Sequence, residues 1–388
     1  MAKKSLNVAL IGTKFMGKAH SNGLRQVGHF FDLPYEPVMK VICGRNPAET
    51  KAAAKQFGWE EASTDWRAVI NRPDIDIVDI SSSGEMHHPM AIAAAKAGKH
   101  IICEKPLANT LKQAEQMTDA VKKAGVNHMC GFSYRFAPAV ATIKNMIKKG
   151  ELGEIFHFRA CYQQDWIVDP EFPLNWRLQK KTAGSGTLGD IGAHITDMCH
   201  NLIGPIDTVC ATMRTFITER PLADSSATIA AKSGHKKSAK KGKVDVDDAA
   251  VFLATIKGAK TLATFEATRF APGRRNYNCI EIYGSKGSVI WNQEDMNVFQ
   301  YYNCADPGNL QGFRRVHATD PGHPYGDAWW PSAHIIGYEH LFVHEMYDFI
   351  NQLGKKKVTY PTFEDGLACQ RVLDAVEKST KSKKWEKV

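Results

Sequence analysis

A lysine follows directly on an apolar run: His100-Ile101-Ile102-Cys103 leads into Glu104-Lys105-Pro106. The run is short and continuous, as expected of a parallel strand covered on both faces. A lysine at the carboxyl end of such a strand points into the crevice where open parallel sheets hold dinucleotides. Beside a nicotinamide ring its amine can take up or return a proton. A lone lysine is more often a solvated surface group. The acid, the proline and the strand around this one reverse the odds.

Asp190 and His194 form a second pair, within Gly184-Ser185-Gly186-Thr187-Leu188-Gly189-Asp190-Ile191-Gly192-Ala193-His194. If this segment opens a helix, the two lie four apart on one face. Histidine exchanges protons near neutral pH, and an aspartate one turn back can orient it. A capping aspartate and a core histidine are the bland alternative. Adding Cys199 or His200 gives no zinc spacing, and no metal is expected. Tyr162, Gln163, Gln164, Asp165, Trp166, Trp176 and Arg177 precede the pair, and Arg269, Tyr325, Trp329 and Trp330 follow it. Aromatic faces with amide and guanidinium donors suit a polyhydroxylated ring, and equally a core or a subunit interface.

The third chemical feature is a glycine turn, Gly12-Thr13-Lys14-Phe15-Met16-Gly17, after Val8-Ala9-Leu10-Ile11. A dinucleotide fingerprint has glycine at three positions, and Lys14 occupies the second. Gly12 permits the tight turn, Gly17 lets helix pack on strand, and the helix N-terminus offers amides to phosphate. After the second strand comes Cys43-Gly44-Arg45-Asn46, with no acid for the 2′-hydroxyl of NAD. Arg45 can pair with the 2′-phosphate of NADP, stack on adenine, or simply be a surface arginine.

These residues need a scaffold, and 388 residues suggest two or three domains. From residue 6 to about 128, strands and helices alternate, as in a parallel sheet with crossover helices. Ala139 to Lys149 reads as a helix. Extended segments then follow at Ile155 to Tyr162, Thr208 to Thr218, Ala249 to Ile256, Thr261 to Arg269, Cys279 to Tyr283 and Ser288 to Trp291. They predict an antiparallel or mixed sheet, with a helix over Leu188 to Leu202 and late helices over Glu339 to Gln352 and Phe363 to Lys378. Residues 231–243 read as a Lys-rich loop.

The net charge of +9 invites a nucleic-acid reading, but six lysines of that loop account for most of it and leave +3. They lack the interleaved aromatics of a nucleic-acid groove. No apolar run approaches the roughly 20 residues of a membrane helix. Nine cysteines without CxxC spacing read as reduced thiols of a cytoplasmic protein. Neither a nucleic-acid nor a membrane partner is expected.

The Val8–Gly17 turn, the run from Gly98 to Pro106, and Gly189-Asp190-x-x-x-His194 together resemble the glucose-fructose oxidoreductase/inositol dehydrogenase (Gfo/Idh/MocA) family. The resemblance covers nearly the whole chain. Gln164-Asp165-Trp166, Pro173-Leu174-x-Trp176-Arg177, Val244-Asp245-Val246-Asp247-Asp248, Glu266-Ala267-Thr268-Arg269 and His323-Pro324-Tyr325-Gly326 extend it to members that oxidise an anhydro-glucose with NAD. It implies an α/β protein. A Rossmann domain over 1–130 precedes an α/β domain over 131–388, with a large open, mainly antiparallel sheet whose exposed face builds dimers or tetramers. Lys14, Gly84, Ser133 and Gly44-Arg45 depart from the family's usual residues.

The activity so implied is that of an NAD(P)-dependent sugar or cyclitol dehydrogenase, taking hydride from a secondary ring carbon, C3 for a glucose-like ring. The resemblance implies Lys105, Asp190 and His194 as catalytic residues. It implies cofactor contacts from Gly12, Lys14, Phe15, Met16, Gly17, Gly44, Arg45, Ser81, His87, Glu104 and Lys105, with NAD or NADP as cofactor. Tyr134, Gln164, Trp166, Arg269 and Tyr325 are the expected sugar-holding residues. Two rivals are a sugar–sugar oxidoreductase that never releases its cofactor and a non-catalytic sensor of the same fold.

Overall fold

The computed structural model describes residues 3–222 and 240–388. Two compact units arise, one from Met1–Ala141 with Thr319–Leu367, the other from Thr142–Ala318 with Ala368–Val388.

In the first unit, short apolar runs become the strands of a parallel sheet. In chain order the elements are β1 (Lys4–Ile11), α1 (Phe15–Phe30), β2 (Tyr35–Cys43), α2 (Pro47–Phe57), β3 (Glu61–Ser63), α3 (Trp66–Ile70), β4 (Ile77–Ile80), α4 (Gly84–Lys96), β5 (His100–Glu104), α5 (Leu111–Ala124) and β6 (His128–Gly131). The strand order β3-β2-β1-β4-β5-β6 reverses direction between β1 and β4. Ligands of doubly wound sheets bind at that switch point, outside the carboxyl ends of the strands. Gly12 has φ +138°, a conformation side chains resist. A Cβ there would sit 2.5 Å from the Ser81 carbonyl oxygen, so glycine is needed where β1 turns against the end of β4.

The second unit contains, after α6 (Pro138–Lys148), β7 (Ile155–Gln163), α7 (Lys180–Ala183), a π-turn over Leu188–Gly192, α8 (Ala193–Leu202), β8 (Ile206–Arg214), β9 (Glu219–Pro221), β10 (Lys241–Lys243), β11 (Ala249–Ile256), β12 (Leu262–Thr268), β13 (Tyr277–Gly284), β14 (Gly287–Asn292), β15 (Val298–Asn303) and β16 (Arg314–His317). The chain ends through α9 (Glu339–Asn351), α10 (Phe363–Ser382) and β17 (Glu386–Lys387). Nine strands form one sheet, β16-β15-β14-β13-β7-β12-β11-β8-β17, in which β7 and β12 pair parallel and the other pairs are antiparallel. Alternation sorts its faces. Phe158, Ala160, Tyr162, Phe252, Phe265, Ile280 and Ile282 are buried on one side, whereas Val251, Leu253 and Leu262 are about half exposed on the other.

Four sequence expectations need correction. The second domain is not contiguous, because residues 319–367 return to the first unit. There α9 supplies Val343, Met346, Phe349 and Ile350 to the core that holds Val8, Leu10, Leu24 and Val27. The helix expected over Leu188 to Leu202 begins as a π-turn. β15 and β16 extend the sheet beyond the expected strands, and their exposed polar residues hide the alternation. The expected Lys-rich loop lies mostly outside the described residues, but its end, Lys241–Lys243, is a strand paired with Glu219–Pro221.

Candidate active site

The expected residues fall in both units. In the first, α1 opens at the switch point. Its N-cap residue, Lys14, makes no side-chain cap, and the first turn has no acid. The first amides and the positive end of the helix therefore remain for an anion. Lys14 itself pairs with Glu49 of α2 at 2.6 Å, both exposed. A Cβ at Gly44 would lie 2.5 Å from the Thr50 hydroxyl and 2.7 Å from Thr13, so this strand end has no room for a side chain. Arg45 beside it is exposed, and Asn46 caps α2 by accepting the Glu49 amide. An uncapped helix end, glycines at both close approaches and an exposed arginine fit a pyrophosphate and an adenosine.

At the end of β5 the Lys105–Pro106 peptide is cis. His87 of α4 is buried, and its ring nitrogens face the carbonyls of Pro106 at 3.0 Å and Ser82 at 3.2 Å. Burial lowers its pKa, outweighing those carbonyls, and a neutral ring donates to only one of the two. Phe15 is 58% exposed and stacks on Tyr338, with centroids 6.3 Å apart and planes 7° apart. Tyr338 also lies against Tyr134, at 6.2 Å. Nothing in the sequence singled out Tyr338. Its one signal was an aromatic just before an apolar helix.

In the second unit, Asp190 sits on the π-turn and His194 on the first turn of α8. π-turns within helices often mark functional sites because they re-aim a side chain. This one is held by the Asp247 carboxylate, which accepts the amides of Gly186 and Leu188 at 2.8 Å each. A side chain at Gly186 would run into the Asp247 backbone. Burial raises the Asp247 pKa, with those amides and Arg269 opposing. Arg269 is fully buried and reaches Asp190 from NH1 at 3.4 Å. Arg177 lies in the same field. Burial lowers its pKa, with Asp190 opposing and the like charge of Arg269 adding.

Nearby, the Trp166 indole donates to Gln164 Oε1 at 2.8 Å. Gln164 donates to Asn276 Oδ1 at 2.9 Å, which also accepts the Tyr162 hydroxyl at 2.6 Å. The Tyr162 ring lies 5.9 Å from that of His194. The structure thus gathers Gln164, Trp166, Asp190, His194 and Arg269 in one unit, with Asn276, Thr187 and Asp247 as unforeseen partners. Gln164 and Arg269 point their polar groups into this network, not outward.

Tyr325 packs within the first unit among aromatic residues. It stacks on His344 at 4.1 Å, meets Phe31 at 6.5 Å, and donates to Asp348 at 2.8 Å. Phe31 follows the far end of the 16-residue α1. At 1.5 Å per residue, that end is about 24 Å from the glycine turn. Among the described residues, no group of three or more His, Cys, Asp or Glu side chains is placed to hold a metal ion.

Comparison with known proteins shows the family. Residues 6–132 match the model of the oxidoreductase family with an NAD-binding Rossmann fold, and residues 140–290 match the GFO/IDH/MocA C-terminal domain. The chain belongs to the Gfo/Idh/MocA family. As a Gfo/Idh/MocA protein it is an NAD(P)-dependent oxidoreductase. Levoglucosan dehydrogenase of Pseudarthrobacter phenanthrenivorans is 43% identical over 98% of each chain. A levoglucosan dehydrogenase structure in complex with NADH and levoglucosan superposes with a TM-score of 0.93 at 42% identity, over 99% of this chain and 100% of that one. An oxidoreductase domain protein from Kribbella flavida superposes with a TM-score of 0.93 at 47% identity, over 99% of both chains. Among the described residues no helix is long and apolar enough to cross a membrane.

Proposed function

We propose that this family member oxidises a secondary ring hydroxyl, at C3, of an anhydro-sugar of the levoglucosan type or a closely related glucoside or cyclitol. The observation that carries the reading is the 43% identity to levoglucosan dehydrogenase over 98% of the chain, with Lys105, Asp190 and His194 all present. A 1,6-anhydro ring has no free anomeric hydroxyl, so only secondary alcohols remain for oxidation. When bound, the nicotinamide supplies the hydride acceptor.

In this reading Lys105 and His194 share the proton of the reacting hydroxyl. Asp190 orients and tunes them, and Arg269 holds Asp190 in place. Trp166 and Tyr134 lie against the apolar face of the ring. The amides at the start of α1 hold the pyrophosphate, with Lys14 turning from Glu49 toward it. Arg45 and the absence of an acid after β2 support use of NADP as well as NAD. The half-exposed Val251, Leu253 and Leu262 support a homodimer or homotetramer built on the open sheet face. Nine cysteines without CxxC spacing support a reducing, cytoplasmic location.

The test follows nicotinamide reduction with levoglucosan, glucosides and inositols, with NAD and NADP, and identifies the product by NMR. A 3-ketone from levoglucosan is expected, and the 3-deoxy analogue should be inert, because polar groups built to pair with that hydroxyl would stay unpaired. A product oxidised at another carbon would refute the C3 assignment.

A further inference from the structure

His20 of α1 is fully buried beneath the carboxyl ends of β4 and β5. Its Nδ1 lies 2.9 and 2.8 Å from the two carboxylate oxygens of Asp79, and its Nε2 lies 2.9 Å from Glu104 Oε1. A ring that faces a carboxylate on each side donates to both only when doubly protonated. Burial alone would lower its pKa. The charge and hydrogen bond of Asp79, and then those of Glu104, outweigh it and hold His20 well above its usual value. The second oxygen of Glu104 accepts the backbone amide of Lys105 at 3.2 Å. Asp79 also accepts the Ser81 hydroxyl at 3.1 Å, at the backbone against which Gly12 turns.

Other positions accommodate this arrangement. A Cβ at Gly131 of β6 would lie 2.7 Å from Glu104 Oε1, so glycine there makes room for the carboxylate. Glu345 of α9 brings a third buried carboxyl, and no hydrogen-bond partner reaches either of its oxygens. Burial pushes its pKa up, with His20 opposing and Glu104 and Asp79 adding, which favours its neutral form. Burial likewise raises the Cys103 thiol and the Tyr338 phenol that face the cluster. Among these groups His20 is the cation that the two carboxylates share.

We propose that His20 is a positioning residue of the candidate catalytic centre: clasped between Asp79 and Glu104, it fixes the Glu104 carboxylate and, through it, the peptide that carries Lys105. The proposal rests on the reading of Lys105 as an acid-base group. An unclasped Glu104 is free to swing, and the Lys105 amide loses its acceptor. Displacement of a catalytic group by about 1 Å costs on the order of 10²-fold in rate.

The clasp is tested first without any substrate. In ¹⁵N-histidine spectra of the wild-type protein, His20 should keep both ring protons above about pH 6.5, where an ordinary imidazole has lost one. A neutral His20 ring at about pH 7.5 would overturn the proposal whether or not any sugar is oxidised. Kinetics with levoglucosan and NAD then test the positioning. His20→Gln, which can donate to only one carboxylate, should lose roughly 10–100-fold in kcat, with sugar KM and NADH affinity changed by less than about threefold. A lower melting temperature with unchanged kcat would reduce His20 to a structural role. If His20→Gln fails to fold, Gly131→Ala displaces Glu104 with the histidine intact, and unchanged kcat there overturns the proposal. Lys105→Ala run alongside separates the two ideas. Retained turnover in it defeats the Lys105 reading, whereas its loss with an unaffected His20→Gln defeats the positioning proposal alone.

Discussion

Arg269 holds Asp190 from a fully buried position, donating from NH1 at 3.4 Å. Its Nε donates to the Thr187 hydroxyl at 3.0 Å and its NH2 to the Asp247 carbonyl at 3.3 Å. One rigid fork therefore ties the π-turn to the segment just before β11, and a lysine cannot reproduce three directed bonds. Arg269→Lys should lower kcat roughly 10–100-fold while the sugar KM moves by less than about threefold. A loss carried mainly by KM in steady-state assays would return Arg269 to the role of a sugar contact.

Lys105→Ala should lower turnover by about 10²–10⁴-fold, the span for removing a general acid-base group. NADH binding, followed by its fluorescence, should survive, because the contacts proposed for the pyrophosphate and adenine are the start of α1 and Arg45. Turnover near that of the wild type would exclude Lys105 from the chemistry.

The Lys14–Glu49 pair is exposed on both sides, and pairs of this kind hold weakly. Glu49→Gln releases Lys14 toward the pyrophosphate and should tighten NADH roughly two- to fivefold at low salt. Arg45→Ala should weaken NADP more than NAD, since only NADP carries the 2′-phosphate. Titration of both variants with both cofactors checks this, and equal losses for Arg45→Ala would place that arginine on the adenine instead.

His344 makes the first unit sensitive to acid. Its Nδ1 donates to the Phe136 carbonyl at 2.9 Å, and its Nε2 accepts the Trp329 indole N–H at 2.7 Å. Those partners fix a neutral ring, and burial depresses its pKa to about 3. Between that value and about 6.5 the unfolded chain binds a proton that the native ring refuses, so stability rises with pH across this window. As pH falls through it, His344 should cost about 1.4 kcal/mol per pH unit. Urea midpoints of the wild type and His344→Gln should therefore converge toward acid pH, and parallel curves would refute the assignment.

Local sequence was enough to read the parallel sheet, because Val8 to Ile11, Ile77 to Ile80 and Ile101 to Cys103 are continuous buried runs. The glycine turn was legible for the same reason, since Gly12 answers to a single backbone angle. Pairing across long stretches of chain was not. Asp247 reaches back 61 residues to Gly186, and nothing local marks it as a cap for the segment that carries Asp190. His20 falls with Gly17, Ser21, Leu24 and Val27 on the buried face of α1, a spacing that announces burial without naming Asp79 or Glu104 as partners. Tyr325 is the converse case: its motif was readable, but its packing against Phe31 and His344 was not.

The return of residues 319–367 to the first unit has a consequence during protein synthesis. The sheet that begins the chain is complete by Gly131, yet the helix that packs against α1, Glu339–Asn351, is made more than 200 residues later. At about 5–20 residues per second, the ribosome needs on the order of 10–40 s to deliver it. Throughout that interval Leu24 and Val27 lack their partners Val343, Met346 and Phe349, and the nascent sheet presents an apolar flank to the cell. Chaperone demand should therefore peak before residue 350 emerges, and ribosome-bound chains halted at about 300 residues should be far more protease-sensitive in their first 130 residues than chains halted just before release.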